Sequence, residues 1–322
     1  MKAKFALVLL LVSSTTIAGF SQTKSYKNEL GFRSDNDAYL AISQDKYYTN
    51  GLFITFRSAL NQQYLSPKLN KRIWEAEVGQ KIFTPRSAFI TDPSYIDWPF
   101  AGYLYASGSL IWLYNSGNTL KTTLQIGTIG PASLAQEAQT FLHKNFGFYT
   151  PQGWQYQINN ELAVNTSMEY NYFLFRSPRK SADFTMASYV NIGNTFTGMG
   201  MGLLFRTGTM NQLFNSASTN SRITNHPKTD DLSNNKEFFF YAKPMIHYRA
   251  YDATIEGGLF SNDKGPSIFD IKPLVFSQEL GVTYAKNRWT ATSSVIFKSK
   301  EIESIAKPDK YGSGAIYYRF KN

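Results

Sequence analysis

RIWEAEVGQKI, residues 72–82, is the stretch on which the fold turns. Trp74, Ala76, Val78 and Ile82 share one parity, and Glu75, Glu77, Gly79 and Lys81 the other. A period of two marks an extended strand with two unlike faces. The pattern recurs in GLFITFRS (51–58), where Leu52, Ile54 and Phe56 oppose Thr55 and Arg57. In LKTTLQIG (120–127), Leu120, Leu124 and Ile126 oppose Lys121, Thr123 and Gln125. In RWTATSSVIF (288–297), Trp289, Ala291, Val295 and Phe297 oppose Thr290, Thr292 and Ser294. Two architectures accept such strands. A soluble sandwich turns the charged face to water. A transmembrane barrel turns the apolar face to lipid and the charged face into a polar lumen.

Composition favours the barrel. Aromatic residues make up 16% of the chain, with 25 Phe and 21 Tyr, as aromatic girdles at two membrane interfaces require. Residues 1–22, MKAKFALVLLLVSSTTIAGFSQ, have the three parts of an export signal: Lys2 and Lys4, the apolar run Phe5 to Val12, and small residues near the cleavage region. Cleavage is expected after Ala18 or Gln22, leaving residues 23–322 as a single outer-membrane barrel domain. The apolar run is too short to span a bilayer, and no later segment approaches ~20 apolar residues. With no Cys, a lipoprotein anchor and a disulfide framework are both excluded. The formal charge of +10 is scattered and forms no basic run. Export argues against nucleic acid as the partner, and the phosphates of lipopolysaccharide suit the sign equally well.

Strands are expected near 26–34, 50–59, 72–84, 100–115, 118–128, 159–175, 182–195, 198–207, 236–250, 274–285, 288–299 and 312–321. DATIEGGLF (252–260) extends the ninth strand or stands apart, and the even-number rule for bacterial barrels favours twelve. NSGN (115–118) and KNR (286–288) read as tight turns, and 208–235 as a long exposed loop. With the N-terminus inside and the longer loops outside, the connections 35–49, 85–99 and 129–158 are external. They and the adjoining strand ends carry every unusual cluster: DND (35–37), YYTNG (47–51), DWPFAG (97–102) and GPASLAQEAQTFLHKNFG (130–147). The fold class is therefore all-β: a transmembrane antiparallel barrel of about twelve strands, with one short helix in an external loop.

That helix starts after Gly130 and Pro131. Ser133 with Gln136 reads as a capping box, and Gly147 as a C-terminal stop. Helical spacing puts Gln136, Gln139 or Thr140, and His143 on one face. Leu134, Ala138, Phe141 and Leu142 supply an apolar side to pack on the barrel wall. The plain alternative is a surface helix with an incidental histidine. His226 and His247 have no acidic or hydroxyl neighbours in sequence and read as structural or exposed. DND offers oxygen ligands suited to Ca²⁺, or a simple Asx turn. YYTNG holds an ordinary Asn-Gly turn signal, and Thr49 has the option of bonding the backbone. There is no G-x-S-x-G, no Cys nucleophile and no zinc-like cluster. A hydrolase built from what remains uses His on water, with a cation polarising the carbonyl.

NDAYL (36–40), DKYYTNGL (45–52), IFTP (82–85), DWPFAGYLY (97–105), IGTIGP (126–131), QEAQTFLHKNFG (136–147) and GWQYQINNE (153–161) occur in this order. The set resembles the outer-membrane lipid A 3'-O-deacylase family, over residues from about 28 to 165. The resemblance implies a twelve-stranded outer-membrane barrel with a site between the barrel wall and a helix of an external loop. It implies Ca²⁺-dependent removal of 3'-linked acyl chains from lipid A, in the manner of secreted phospholipase A2, by a protein expected to be monomeric with its site facing the outer leaflet. Carried over, His143 is the base that activates water, Asn36 and Asp37 are the Asn-Asp pair beside the cation, and Thr49 is the hydroxyl of the Tyr-Thr block. Gln139 matches the helix glutamine. Glu137 points about 120° away from His143 and ranks lower. Trp154, Gln157 and Glu161 are assigned to shaping or support. Two features depart from the family. Its second external loop carries adjacent basic residues, whereas TPRSAFITDPSYIDW (84–98) has Arg86 alone, and the chain ends two residues past Phe320. The alternatives are an outer-membrane phospholipase using the same residues, and a non-catalytic porin-like or structural barrel.

Overall fold

The computed structural model describes residues 26–40, 46–62, 65–225 and 234–321. The export signal and His226 lie outside the described residues. Twelve strands close a barrel in which each pairs antiparallel with its neighbours and β1 closes on β12. They are β1 (Asn28–Asn36), β2 (Tyr47–Ala59), β3 (Leu69–Thr84), β4 (Ala101–Tyr114), β5 (Thr119–Ile129), β6 (Glu161–Arg176), β7 (Ala182–Gly193), β8 (Phe196–Thr209), β9 (Lys236–Asp252), β10 (Leu274–Lys286), β11 (Trp289–Lys298) and β12 (Asp309–Phe320). DATIEGGLF adds no thirteenth strand. After Asp252, whose carboxylate caps Thr254 N–H, the chain forms a short helix, Ala253–Glu256, so the described chain holds two helices rather than one. The longer helix is Ala135–Phe146, in the connection from β5 to β6. We call them α1 (Ala135–Phe146) and α2 (Ala253–Glu256).

The alternation in 72–82 is realised as expected. Trp74 and Val78 are exposed, as are Leu30, Phe32, Ile54, Leu124 and Ile126 on neighbouring strands, and this outward face forms an apolar belt. The opposite parity fills the lumen. Arg57 Nη1 donates to Glu29 at 3.0 Å and Arg57 Nε to Glu75 at 2.5 Å, while Lys121 Nζ lies 2.8 Å from Glu75. Arg319 Nη1 closes the ladder onto Glu29 at 3.3 Å. The register makes these bonds: Glu29 stands opposite both Arg57 and Arg319, and Arg57 opposite Glu75. Desolvated charges persist there because each is paired. His247 also points into this interior, bonded to Tyr189 and Ser277. Of the two readings open to it, structural or exposed, the structural one holds.

One loop departs from its sequence reading. Residues 208–235 were expected to form an exposed loop, yet the described part folds into the barrel mouth at the end where β1 begins and β12 ends. Met210, Leu213, Ser216, Ala217, Ser221 and Ile223 are all buried. Lys71 Nζ reaches up from β3 and donates to Asn215 Oδ1 at 2.6 Å and to the carbonyls of Ser221 at 2.9 Å and Ile223 at 3.3 Å. Ile223 packs with Ala59, Ile73, Ile111 and Leu113. The segment looks like solvent-exposed loop by composition because its Ser, Thr and Asn side chains are polar. They bond its own backbone instead of water, as Ser221 Oγ does with the Leu213 carbonyl at 2.7 Å. A porin needs an open lumen, and this mouth is filled. In planar lipid bilayers the protein is expected to show no steady conductance steps, and a stable open channel of porin size would contradict the packed mouth.

Candidate active site

The connections β1–β2, β3–β4 and β5–β6 leave the barrel at one end, as the topology predicts. A single row crosses the outer wall there. Asn36 stands opposite Asn50, Asn50 opposite Ile82, and Ile82 opposite Gly102. All four share the outward parity of the apolar belt. At about 4.8 Å per strand, the row spans roughly 14 Å. Asn36 Nδ2 donates to Asn50 Oδ1 at 2.5 Å, and the Ala38 N–H donates to Asn36 Oδ1 at 2.6 Å. Asp37, 1% exposed, accepts the Lys46 N–H at 2.8 Å.

A β-bulge loads this row with oxygen atoms. The β2–β3 register slips between Tyr48 and Asn50. Tyr48 turns inward, its hydroxyl donating to Asp35 at 2.9 Å. Thr49 turns outward, its hydroxyl 2.6 Å from that of Thr84, and Asn50 turns outward as well. An extra residue in one strand allows two successive side chains to share a face, which a regular pleat forbids. Tyr47, just before the bulge, has φ 60, a left-handed conformation that is unusual for so large a residue. Its hydroxyl is held by Asp97 and by the Lys307 N–H. The Asn-Gly pair of YYTNG therefore lies inside a strand and makes no turn.

α1 lies against this wall from outside. Its entry sits on Gly102, where a Cβ would come within 1.9 Å of Ser133 Oγ and 2.4 Å of Ala135 Cβ, so only glycine admits the helix. Gln80 Nε2 donates to the Ser133 carbonyl at 2.7 Å. The expected capping box does not form. Ser133 lies in a 3₁₀ turn, Pro131–Ser133, and its hydroxyl donates to the Gly130 carbonyl. The residue before α1 is Leu134, left-handed at φ 57 with no side-chain cap. Gly147 does end the helix, at φ 75, with its N–H on the His143 carbonyl.

The face that packs on the wall is Ala135, Gln139 and His143. Gln136 is exposed, and so are Leu134 and Phe141, which were expected to make the wall contact. The polar stripe wins because its groups find partners. Trp154 Nε1 donates to Gln139 Oε1 at 2.8 Å, and Trp154 packs with Ile82, Phe100 and Ala135. His143 Nδ1 lies 2.6 Å from the Tyr149 carbonyl, with the Phe148 and Tyr149 rings set edge-on to the imidazole. A carbonyl only accepts, so Nδ1 carries the proton and Nε2 is the basic nitrogen. The Trp154 bond likewise fixes the Gln139 amide, leaving Nε2 as a buried donor with no partner among the described residues.

The remaining candidates scatter. Arg86 is exposed, its guanidinium 5.5 Å from the Tyr95 ring centre. Glu137 is exposed. Gln157 follows the 3₁₀ turn Trp154–Tyr156, with Oε1 buried and unbonded. Glu161 is a loop anchor: its carboxylate accepts from Asn194 Nδ2 and from the Leu259 and Phe260 N–H groups. Sequence reasoning passed over Asn50 and the Tyr149 carbonyl. Parity marks Asn50 as outward, but its Asn-Gly context hid it, and no side-chain signal announces a main-chain acceptor. Among the described residues no three His, Cys, Asp or Glu gather as a ligand set. Asn36 and Asn50 are bonded to each other, and Asp37 and Thr49 adjoin them in the chain; one carboxylate with neutral oxygens is a donor set whose chemistry fits a hard cation such as Ca²⁺.

The family profile described as Outer membrane protein LpxR matches residues 5–320. Among solved structures, the chain is similar to LpxR from Salmonella typhimurium, at a TM-score of 0.69 and 18% identity over 91% of this chain and 100% of that one. The beta domain of the Bordetella autotransporter BrkA follows at a TM-score of 0.48 and 10% identity, covering 92% and 100%. A search of curated proteins returns no match. Closed antiparallel strands, an outward apolar belt, a helix laid on the outer wall and a profile match over nearly all of its length agree: this outer-membrane barrel belongs to the LpxR family.

Proposed function

We propose that the protein is an outer-membrane esterase that removes an ester-linked acyl chain from lipid A, the 3'-O-linked chain by family likeness. The observation that carries this reading is His143, buried and fixed in one tautomer on a helix that rests on Gly102, at one end of the wall row whose other end carries Asn50 and Asn36. His143 Nε2 takes a proton from water as the water oxygen attacks the ester carbonyl. As the tetrahedral centre collapses, the ester C–O bond breaks and the imidazolium returns the proton to the departing sugar oxygen. The products are a fatty acid and a free hydroxyl. The Gln139 Nε2–H is the chain's own donor for the developing oxyanion, and Trp154 holds that amide in orientation. Asn36, Asp37, Thr49 and Asn50 are the residues that would hold Ca²⁺, which when bound supplies polarisation of the ester carbonyl.

Purified protein in detergent, incubated with lipopolysaccharide and Ca²⁺, is expected to yield lipid A lighter by one acyl chain in mass spectrometry. Unchanged lipid A under every condition would falsify the proposal. The same assay on phospholipid vesicles distinguishes the phospholipase alternative, which uses the same residues. With one carboxylate in the donor set, the cation is expected to bind weakly. Activity lost to a chelator should return only with Ca²⁺ at about 10⁻⁴–10⁻³ M, and recovery at nanomolar Ca²⁺ would exclude this ligand set. Trp154→Phe keeps most of the packing and loses the N–H. It is expected to lower kcat about tenfold with KM nearly unchanged, the cost of one misplaced buried donor.

A further inference from the structure

α1 is amphipathic the wrong way round for a helix on a soluble protein. Its polar face, Gln139 and His143, is buried, while Phe141 is 66% exposed and Leu134 54% exposed. The exposed apolar groups continue beyond the helix. Phe146 lies 6.4 Å from Phe148 between ring centres, and Tyr149 lies 6.2 Å from Phe89 of the β3–β4 loop. This patch surrounds His143.

What covers the patch follows from where the helix sits. α1 rests on the outward face of the wall, on Gly102 and beside Gln80. Val78, Ala106 and Leu110 on that same face, further down the same strands, are exposed in the belt that meets lipid. A helix standing on that face at the barrel's outer end occupies the ring where the outer leaflet lies. Its exposed half is itself divided. At about 100° per residue, Leu134 and Phe141 fall some 160–180° from His143, while Glu137 and Lys144 fall about 100–120° away. One edge is therefore apolar and the other charged, as in a helix lying at the boundary between acyl chains and headgroups.

We infer that α1 and the aromatic residues beside it form an interfacial element, with Leu134 and Phe141 seated among the acyl chains of the outer leaflet and Lys144 facing its aqueous side. The bilayer is thus continuous with the ring of aromatics around His143. The inference rests on residence in the outer membrane and stands whether or not the proposed hydrolysis occurs.

The absence of cysteine makes the test direct. Leu134→Cys, Phe141→Cys and Lys144→Cys are each labelled with a nitroxide in protein reconstituted into vesicles of phosphatidylethanolamine and phosphatidylglycerol. Relaxation by oxygen, which concentrates in lipid, is compared with relaxation by a water-soluble nickel complex. The oxygen-to-nickel ratio is expected to be several-fold higher at positions 134 and 141 than at 144. Equal ratios at the three positions overturn the inference. Low accessibility to both reagents at 134 and 141, as under a second copy or another protein, overturns it too.

Discussion

His143→Ala is expected to lower the rate of lipid A deacylation by about a thousand-fold, the middle of the range for a positioned general base. The loss should appear in kcat, because the imidazole moves a proton in the transition state and does not hold the lipid. The fold should survive. His143 sits on a helix outside the wall, and the twelve strands close without it. Heat-modifiable migration of the barrel in a gel checks the fold, and mass spectrometry of the lipid A checks the rate. A variant that folds and still deacylates at the normal rate removes His143 from the mechanism. His143→Asn sharpens the test, since it keeps a donor for the Tyr149 carbonyl but supplies no basic nitrogen.

The helix and its C-terminal stop were legible from spacing, which put Gln136 and either Gln139 or Thr140 on the face of His143; the family resemblance singled out Gln139, and Gln136 proves exposed. The strands were legible from their two-residue alternation, their number from the even-number rule for bacterial barrels, and the three external loops from loop length. What could not be read has a common physical cause. The capping box failed because Ser133 found the Gly130 carbonyl first. The apolar edge of α1 was assigned to the wall because a buried polar stripe cannot be inferred until its partners, Trp154 and the Tyr149 carbonyl, are in place. The segment around Ser216 read as exposed because Lys71, which holds it to β3, lies far off in sequence. In each case a hydrogen bond outside the local rule decided the outcome, a short-range one at Ser133 and tertiary ones at Gln139 and in the mouth segment.

The largest stability effect is expected at Asp183. This carboxylate is fully buried and accepts from Arg206 Nε at 2.9 Å and Nη2 at 2.7 Å, and from Arg176 Nη2 at 2.6 Å. Both arginines also donate to the Asn211 carbonyl, and Arg206 Nη1 to Ser216 Oγ, so the same ion cluster pins the segment filling the barrel mouth. Asp183→Ala leaves two guanidinium groups without their shared counter-charge. Removing one partner of a buried pair costs about 3–5 kcal/mol. The urea midpoint of the barrel refolded in vesicles should fall by that amount of free energy, and the filled mouth should begin to leak ions in planar bilayers. A midpoint within error of the parent would mean that the cluster contributes nothing net.

The bulge at Thr49 makes the site a matter of counting. Below it β2 pairs with β3 as an ordinary two-residue repeat, indifferent to what lies above. One residue fewer between Tyr47 and Asn50 would straighten the strand and swing either Thr49 or Asn50 from the lipid side into the lumen, without touching any other strand. A single in-frame codon deletion there is expected to remove one of the proposed cation ligands while leaving a barrel that inserts, folds and runs normally on a gel. The length of the YYTN segment is therefore as much a part of the proposed site as the histidine.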